Sequence, residues 1–302
     1  MNAVVIQSSG LGLKIARVWT LALATVTQLI RMKILFFLLL FCVLVVGAGF
    51  AFSVINPEQQ LGLIKTVSLG TLQIFSLVIG IVSTALLLPK DMEDRTLYTI
   101  LSKPVPRFEY LAGKLVGVLL LIGGGLLIMD LVLSAVIYTR QGMVMQDMMR
   151  ALEFDGQATP ETIERLKGII ARQGLTWEMH WAVLAIFLKA AVVTTMALVL
   201  ACIASSTLFT IVVAFCAVII GHGEHLLREF FFHPYLSGQT ERLAALALAV
   251  VFPDLAQFDV VDGVVAGEAV PWAAVLDMAG IAAMYVCGYM TIAHLLFVEK
   301  EL

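Results

Sequence analysis

Two charged residues lie inside long apolar stretches of the sequence and are the first candidates for chemistry. Asp130 lies eight residues before the end of the apolar run 115–138, and Lys189 lies eight residues after the start of the run 181–204. If these runs are consecutive antiparallel membrane helices, both charges lie about 12 Å below the same surface. An ion pair costs far less in lipid than two isolated charges, so the sequence predicts an interhelical pair. One alternative is open: Lys189 reaches outward to the surface, and Asp130 faces a partner chain.

A second group of residues has side chains of the kind that bind metals. His222, Glu224, His225 and His233 are close in the sequence, but their spacing differs from zinc signatures such as H-E-x-x-H. Glycines on both sides of His222 favour a helix end at the membrane interface instead. We expect no metal site here, and an intramembrane metalloenzyme is the alternative.

The chain lacks the motifs with which a protein binds and hydrolyses ATP by itself. The sequence contains no G-x-x-x-x-G-K-[ST] phosphate-binding loop and no G-x-S-x-G nucleophile elbow. Its four cysteines lie in apolar runs, which is typical of small packing residues, and their spacing predicts neither disulfides nor a metal site. The sequence therefore predicts that the chain is not an enzyme and holds no cofactor. If it takes part in ATP-driven work, a separate subunit must bind the ATP and Mg.

The composition indicates a membrane protein. Hydrophobic residues make up 61% of the 302 residues and charged residues 14%, whereas soluble domains carry about 25% charged residues. The net charge of −3 and the lack of a basic patch with interleaved aromatic residues give no reason to expect a nucleic-acid partner. Long apolar runs predict an all-α integral membrane protein with a single transmembrane domain over residues 1–302. Six spans are predicted, at about 34–55, 67–88, 115–138, 181–204, 207–221 and 273–298.

The segments between these spans differ in character. Residues 11–31 carry basic residues at helical spacing, which predicts an amphipathic helix in the membrane interface; the leading half of a longer first span is the alternative. Residues 139–180 are too charged for lipid, and within them Thr159-Pro160-Glu161 is typical of a helix start, with Gly174 as the predicted end. The segment 222–272 includes a ten-residue apolar piece, Leu243 to Phe252. That piece is too short to cross a bilayer and is predicted to be re-entrant or interfacial.

A charged loop that contains several prolines, 89–114, joins the second and third spans. Acidic residues at its start complement a helix dipole, and Pro104 stops a helix, so a short helix over 91–101 is predicted. The apolar residues that share one face of this helix are Leu97, Ile100 and Leu101. The glycines that follow in the third span permit close helix packing or mark a flexible kink; they are Gly113, Gly117 and Gly123 to Gly125.

The residues of this loop resemble those of the ABC-2 type permease family, the membrane subunits of ABC transporters. The matching residues are Glu93-Asp94-Arg95-Thr96-Leu97, Leu101-Ser102-Lys103-Pro104-Val105-Pro106-Arg107, Glu109-Tyr110 and Gly113-Lys114. Many members of the family have glycine where this chain has Arg95, and the remaining order and spacing agree. An ordinary interfacial loop between two spans is the alternative.

The resemblance implies a function for the loop and a set of partners for the chain. In this family the loop is similar to a coupling helix that meets a cytoplasmic ATPase subunit. The resemblance implies an exporter made of two permease subunits, identical or related, and two ATPase subunits that bind ATP and Mg. The residues implied to dock the ATPase are Leu97, Ile100 and Leu101, with Glu93, Asp94 and Arg95 as polar contacts at the rim.

Six spans place both termini on one side of the membrane, and the basic residues indicate which side. The segments on the side of the N-terminus and the loop 89–114 hold ten Lys and Arg residues, and the much longer segments on the other side hold eight. The positive-inside rule then predicts cytoplasmic termini in a bacterial inner membrane, with 139–180 and 222–272 outside the cytoplasm. Two other functions are open: an ion-coupled secondary transporter that uses Asp130 and Lys189, and a membrane scaffold that transports nothing.

Overall fold

The chain is all-helical in the computed structural model, which describes residues 11–33, 35–51, 57–93, 106–204, 206–232, 238, 240, 243 and 252–299. No strand occurs within these ranges, so the prediction of an all-α protein is confirmed. The α-helices are α1 (Leu11–Arg31), α2 (Leu35–Ala51), α3 (Pro57–Glu93), α4 (Arg107–Phe154), α5 (Pro160–Gln173), α6 (Glu178–Ile203), α7 (Thr207–Phe232), α8 (Val261–Ala266) and α9 (Trp272–Glu299). A short 3-10 helix covers Leu255–Phe258.

Six stretches in the described part of the chain are long and apolar enough to cross a membrane, so this is a multi-pass membrane protein. They are Gly12–Arg31, Gln59–Leu88, Arg107–Phe154, Pro160–Ile203, Thr207–Glu224 and Trp272–Glu299. Five of them correspond to predicted spans. The sixth is α1, which the sequence predicts to lie in the interface, whereas the predicted first span is α2, 17 residues long.

The helical backbone is interrupted between α1 and α2. Lys33 has a φ of 61°, a left-handed conformation that a right-handed helix does not accept. Its backbone nitrogen donates to the carbonyl of Ile30 at 3.1 Å, and its own carbonyl accepts from the nitrogen of Phe36 at 3.0 Å. The two helices are therefore separate elements, and α1 is not the leading half of one continuous first span.

The long helix α4 sets the dimensions of the bundle. Its 48 residues measure about 72 Å, since each residue of an α-helix rises 1.5 Å. The part from Glu109 to Asp130, which contacts His180 near the start of α6, measures about 32 Å, close to the hydrocarbon thickness of a bilayer, about 30 Å. Trp177 and Trp272 are exposed, and the rings of Trp181 and Trp272 lie 5.2 Å apart, as expected for aromatic side chains at a membrane interface.

These dimensions distinguish the two ends of the bundle. The end that carries Trp177, Trp181 and Trp272, called here the aromatic band, is the α5 end. The opposite end, where α3 ends and α4 begins, is the base. Helix α4 continues for 24 residues past Asp130 and so extends beyond the aromatic band, although the sequence predicts that the third span ends near residue 138.

The extension of α4 packs against α5 outside the aromatic band. Thr159 caps α5: its hydroxyl accepts a hydrogen bond from the backbone nitrogen of Thr162, and the Thr162 hydroxyl accepts from the nitrogen of Thr159. Leu166 and Ile170 are buried in a small core with residues of α3 and α4. Gly174 caps the end of α5. The predicted start and end of this helix are confirmed.

Helix α3 is longer than the predicted second span at both ends. It begins at Pro57 rather than near residue 67, so the predicted polar link is helical and places Lys65 in the protein interior. It ends at Glu93, so the first three residues of the predicted helix 91–101 belong to the last turn of α3. The sequence did not predict the earlier start of α3, because a lysine such as Lys65 favours a loop when the residues that surround it in space are unknown.

Part of the segment predicted to lie outside the membrane packs inside the bundle. Leu255, Phe258, Val261 and Val264 are all buried, in clusters formed by α3, α4, α6, α7 and α9. A Cβ atom at Gly221 of α7 would lie 2.8 Å from the carbonyl oxygen of Pro253, so the two backbones are in direct contact. The apolar piece 243–252 lies outside the described residues except at its two ends, and the chain that follows it is re-entrant.

Candidate functional site

Of the predicted docking residues, only Glu93, at the base, lies within the described part of the chain. Glu93 is the last helical residue of α3, and α4 begins at Arg107. The segment 94–105, which contains Asp94, Arg95, Leu97, Ile100 and Leu101, is outside the described part of the chain. The base on either side of this segment is described, and it shows to what the segment is attached.

Arg107 fastens the start of α4 to the end of α9. Its guanidinium Nη1 donates hydrogen bonds to the carbonyl oxygens of Phe297 and Val298, both at 2.8 Å. These carbonyls belong to the last turn of α9, where helix carbonyls lack partners within the helix and carry partial negative charge. The same guanidinium lies 5.9 Å from the centre of the Phe297 ring, which stacks on Tyr110 at 6.0 Å. The first helical residue after the docking segment, Arg107, is therefore held by α9.

Helix α1 packs against the first turns of α4 through two glycines. A Cβ atom at Gly113 would lie 2.5 Å from the Cβ of Leu21, and one at Gly117 would lie 2.6 Å from the Cβ of Thr25. Both distances are too short for real atoms, so only glycine permits this approach. Of the two roles that the sequence left open for these glycines, close helix packing is confirmed.

Polar contacts flank the glycine contact between α1 and α4. Arg17 lies 3.4 Å from the carboxylate of Glu109, an ion-pair distance, and Glu109 is buried. The ammonium of Lys114 donates to the amide oxygen of Gln28 at 3.1 Å and lies 5.7 Å from the centre of the Tyr110 ring. A buried charge needs such partners to offset the loss of its hydration.

These contacts form one unit at the base, called here the base clamp. Its members on α4 are Arg107, Glu109, Tyr110, Gly113, Gly117 and Lys114, and its partners are on α1 and α9. Every one of the α4 members except Gly117 belongs to the sequence pattern described above, which predicted their importance without predicting their partners. The clamp joins the docking segment to two helices that are distant from it in the sequence.

Comparison of the sequence with models of protein families and with curated proteins finds no match. The function proposed below therefore rests on the contacts within the chain and on the pattern of residues 93–114.

The two intramembrane charges do not pair with each other, so the predicted Asp130–Lys189 pair is wrong. Asp130 lies 2.7 Å from Nδ1 of His180 at the start of α6. Lys189 lies 3.4 Å from the carboxylate of Asp259 in the re-entrant segment. Because Asp130 is level with His180, Lys189 lies nine residues farther along α6, about 13 Å closer to the base. The prediction failed because it placed residue 138 of α4 level with residue 181 of α6, whereas the contact with His180 places Asp130 at that level.

Further charged groups join α3, α4 and α6 near the Asp130–His180 contact. Arg140 donates to the amide oxygen of Gln60 at 3.0 Å. Lys65 is 0% exposed, and its ammonium makes no hydrogen bond to a described residue. The carboxylate of Glu178 is the opposite charge that attracts this ammonium. Sequence analysis missed Lys65 and Arg140 because both fell in predicted loops. The one sequence feature that Lys65 and Arg140 share is that each is a basic residue within two helical turns of an apolar run.

The candidate metal ligands are not brought together as far as the structure describes them. Nδ1 of His222 donates to the carbonyl of Val218 at 2.9 Å, one turn earlier in α7, and Glu224 is buried. The side chain of His225 and all of His233 lie outside the described residues. Within the described part, no three His, Cys, Asp or Glu side chains form a group that could hold a metal ion.

Proposed function

We propose that this chain is the permease subunit of an ATP-driven exporter of the ABC-2 type. In this proposal the base faces the cytoplasm, both termini are cytoplasmic, and the membrane is a bacterial inner membrane. A second permease subunit, identical or related, completes the transport path, and two ATPase subunits supply the energy. The chain itself hydrolyses nothing.

The observation that carries the proposal is that the start of α4, which follows residues 94–105 in the chain, is held in the base clamp. A coupling element must be rigidly connected to the helices that it moves, since coupling between distant sites needs a contiguous packed network. Arg107 and Tyr110 connect this segment to α9, and Glu109 and Gly113 connect it to α1. An ordinary interfacial loop does not need to be fixed to two separate helices by buried and charged groups.

The mechanism that follows is a displacement transmitted through these contacts. Closure of the ATPase pair on ATP pushes the segment 94–105 toward or along the membrane. Because Arg107 holds the last turn of α9, α9 moves with the start of α4. Because no side chain separates α1 from α4 at Gly113 and Gly117, α1 moves as well. In this proposal Lys14 and Arg17, near the start of α1, reach the headgroups at the base.

The experiment that tests the proposal separates ATPase docking from membrane insertion. The chain is expressed in its native host and purified by a tag, and the preparation is assayed for a co-purifying ATPase. Leu97→Asp and Leu101→Asp place a charge on the predicted docking face, so both should abolish co-purification and ATPase activity of the preparation. Thr99→Asp is the matched control, since residue 99 lies on the opposite face of the predicted helix and should leave both unchanged.

Two outcomes would count against the proposal. In one, the Leu97 and Leu101 variants retain the ATPase as well as the Thr99 variant does. In the other, residue 97 in intact cells is labelled from outside the cytoplasm, which would reverse the orientation of the base. The alternative is an ion-coupled secondary transporter that uses Asp130 and Lys189, which the structure places on separate partners; transport driven by a pH gradient in the chain alone would favour it.

A further inference from the structure

The contact between Lys189 and Asp259 lies deep in the membrane region of the bundle. Lys189 is eight residues from Trp181 of the aromatic band, which places it about 12 Å below that band. It is also fifteen residues from Ala204 at the base, about 22 Å. Gly221, on which Pro253 packs, is fourteen residues from the base end of α7, about 21 Å. Two helices thus give the same depth for the re-entrant segment, well inside a hydrocarbon core of about 30 Å.

At this depth the re-entrant segment presents polar groups outward. The side chain of Asp259 is 44% exposed, and Gln257 is also exposed, although Phe258 between them is buried. The backbone at 259 and 260 is not helical. In a bilayer, irregular backbone and an exposed carboxylate are tolerated only where they line water or are covered by protein.

Lys189 has the opposite character, since its side chain is 1% exposed. Asp259 is its one hydrogen-bond partner among the described residues. Loss of the carboxylate would leave a buried ammonium without an opposite charge, which is strongly unfavourable. Asp259 can exchange this contact for hydration because half of its surface is open, whereas Lys189 cannot. Water can therefore reach the ion pair at Asp259 but not at Lys189.

We propose that a water-filled vestibule descends from the α5 end of the bundle to Asp259, and that the Lys189–Asp259 contact is the latch that keeps residues 253–267 packed beside it. The vestibule admits water and small hydrophilic solutes. The proposal of a vestibule rests on contacts within this chain and does not involve an ATPase. Its assignment as the outer part of a transport path rests on the proposed function.

The vestibule is tested by the reaction of single cysteines with a membrane-impermeant charged thiol reagent, which modifies only thiols in contact with water. The full chain is used in membranes after its four native cysteines are replaced by alanine. Gln257→Cys should be modified. Ile219→Cys should not be, although Ile219 is exposed on α7 at the same depth, because it faces lipid. Val264→Cys should also stay unmodified, because Val264 is buried.

Two results would overturn the vestibule. One is that Gln257→Cys is as unreactive as Ile219→Cys. The other is that Gln257→Cys resists the reagent but forms a disulfide between two copies under oxidation, because a second subunit would then cover the surface assigned to water.

The latch is tested by adding substitutions to the Val264→Cys chain. Lys189→Met removes the ammonium at nearly constant volume, so the re-entrant segment should be released and Val264→Cys should lose its protection. The exchange of the two charges, Lys189→Asp with Asp259→Lys, should restore protection. Protection that persists in Lys189→Met would overturn the latch.

Asp259→Asn provides a second test if Lys189→Met does not reach the membrane. It leaves Lys189 in place without a carboxylate and should also expose Val264→Cys, whereas continued protection would again overturn the latch. All of these measurements use the chain without a partner. A negative result here therefore counts against the vestibule or the latch, and a negative result with the Leu97 variant counts against ATPase docking.

Discussion

Replacing Gly117 with alanine tests whether α1 is fixed to α4 by direct backbone contact. The new Cβ would lie 2.6 Å from the Cβ of Thr25 and 2.8 Å from the carbonyl oxygen of Ala22. Carbon atoms in contact prefer about 3.5–4.0 Å, so α1 must move away by roughly 1 Å. Neither neighbour can turn aside, since one is backbone and the other is the branching carbon of a stiff side chain. Overpacking of this kind costs about 1–3 kcal/mol.

Gly124→Ala on the same helix is the control for this prediction. Nothing lies within 4 Å of a Cβ atom at Gly124, so this change adds only helix propensity, worth up to about 1 kcal/mol. Both variants gain this helix propensity, so their free energies of unfolding should differ by the overpacking cost, about 1–3 kcal/mol, measured by denaturant unfolding in one detergent. Equal stability would refute the close contact between α1 and α4 and remove α1 from the base clamp.

Two further predictions concern the ion pairs and the clamp. Arg107→Met removes two charge-assisted hydrogen bonds, each worth about 1.5–3 kcal/mol, so amide hydrogen exchange around Phe297 should become faster; unchanged exchange would mean that α9 does not depend on Arg107. In a double-mutant cycle, Asp130→Asn and His180→Gln should show a coupling energy of about 0.5–3 kcal/mol. The corresponding cycle of Asp130→Asn with Lys189→Met should show almost none, and a larger coupling in this second cycle would contradict the partners described above.

Much of the fold was predictable because it depends on local properties of the chain. A run of about 20 apolar residues is stable as a helix in lipid whatever surrounds it, so five spans were predicted near their observed positions. The start of α5 at Thr159 and Pro160 was predictable for the same reason, since a capping residue acts on the backbone three residues away. The importance of the residues from Arg107 to Lys114 was also visible in their pattern.

Other features depended on contacts between residues far apart in the sequence. The composition after Tyr138 does not predict where α4 ends. The extension of α4 is instead stabilised by its packing against α5. Placing residue 138 level with residue 181 shifted the predicted register between α4 and α6 and gave Asp130 and Lys189 the wrong partners. The partner of Lys189 is 70 residues away, in a segment that hydropathy alone places outside the membrane.

The amino-acid sequence by itself determined that this chain is helical, that it crosses a membrane several times, and that a charged loop near residue 100 stands apart from the spans. These are consequences of side-chain hydrophobicity and local backbone preference. Only the tertiary structure decided that Arg107 holds α9, that glycines admit α1, and that a re-entrant segment brings Asp259 to Lys189. Register and partner choice are set by the packing of whole helices, because an offset of a few residues leaves local energies unchanged but exchanges every long-range contact.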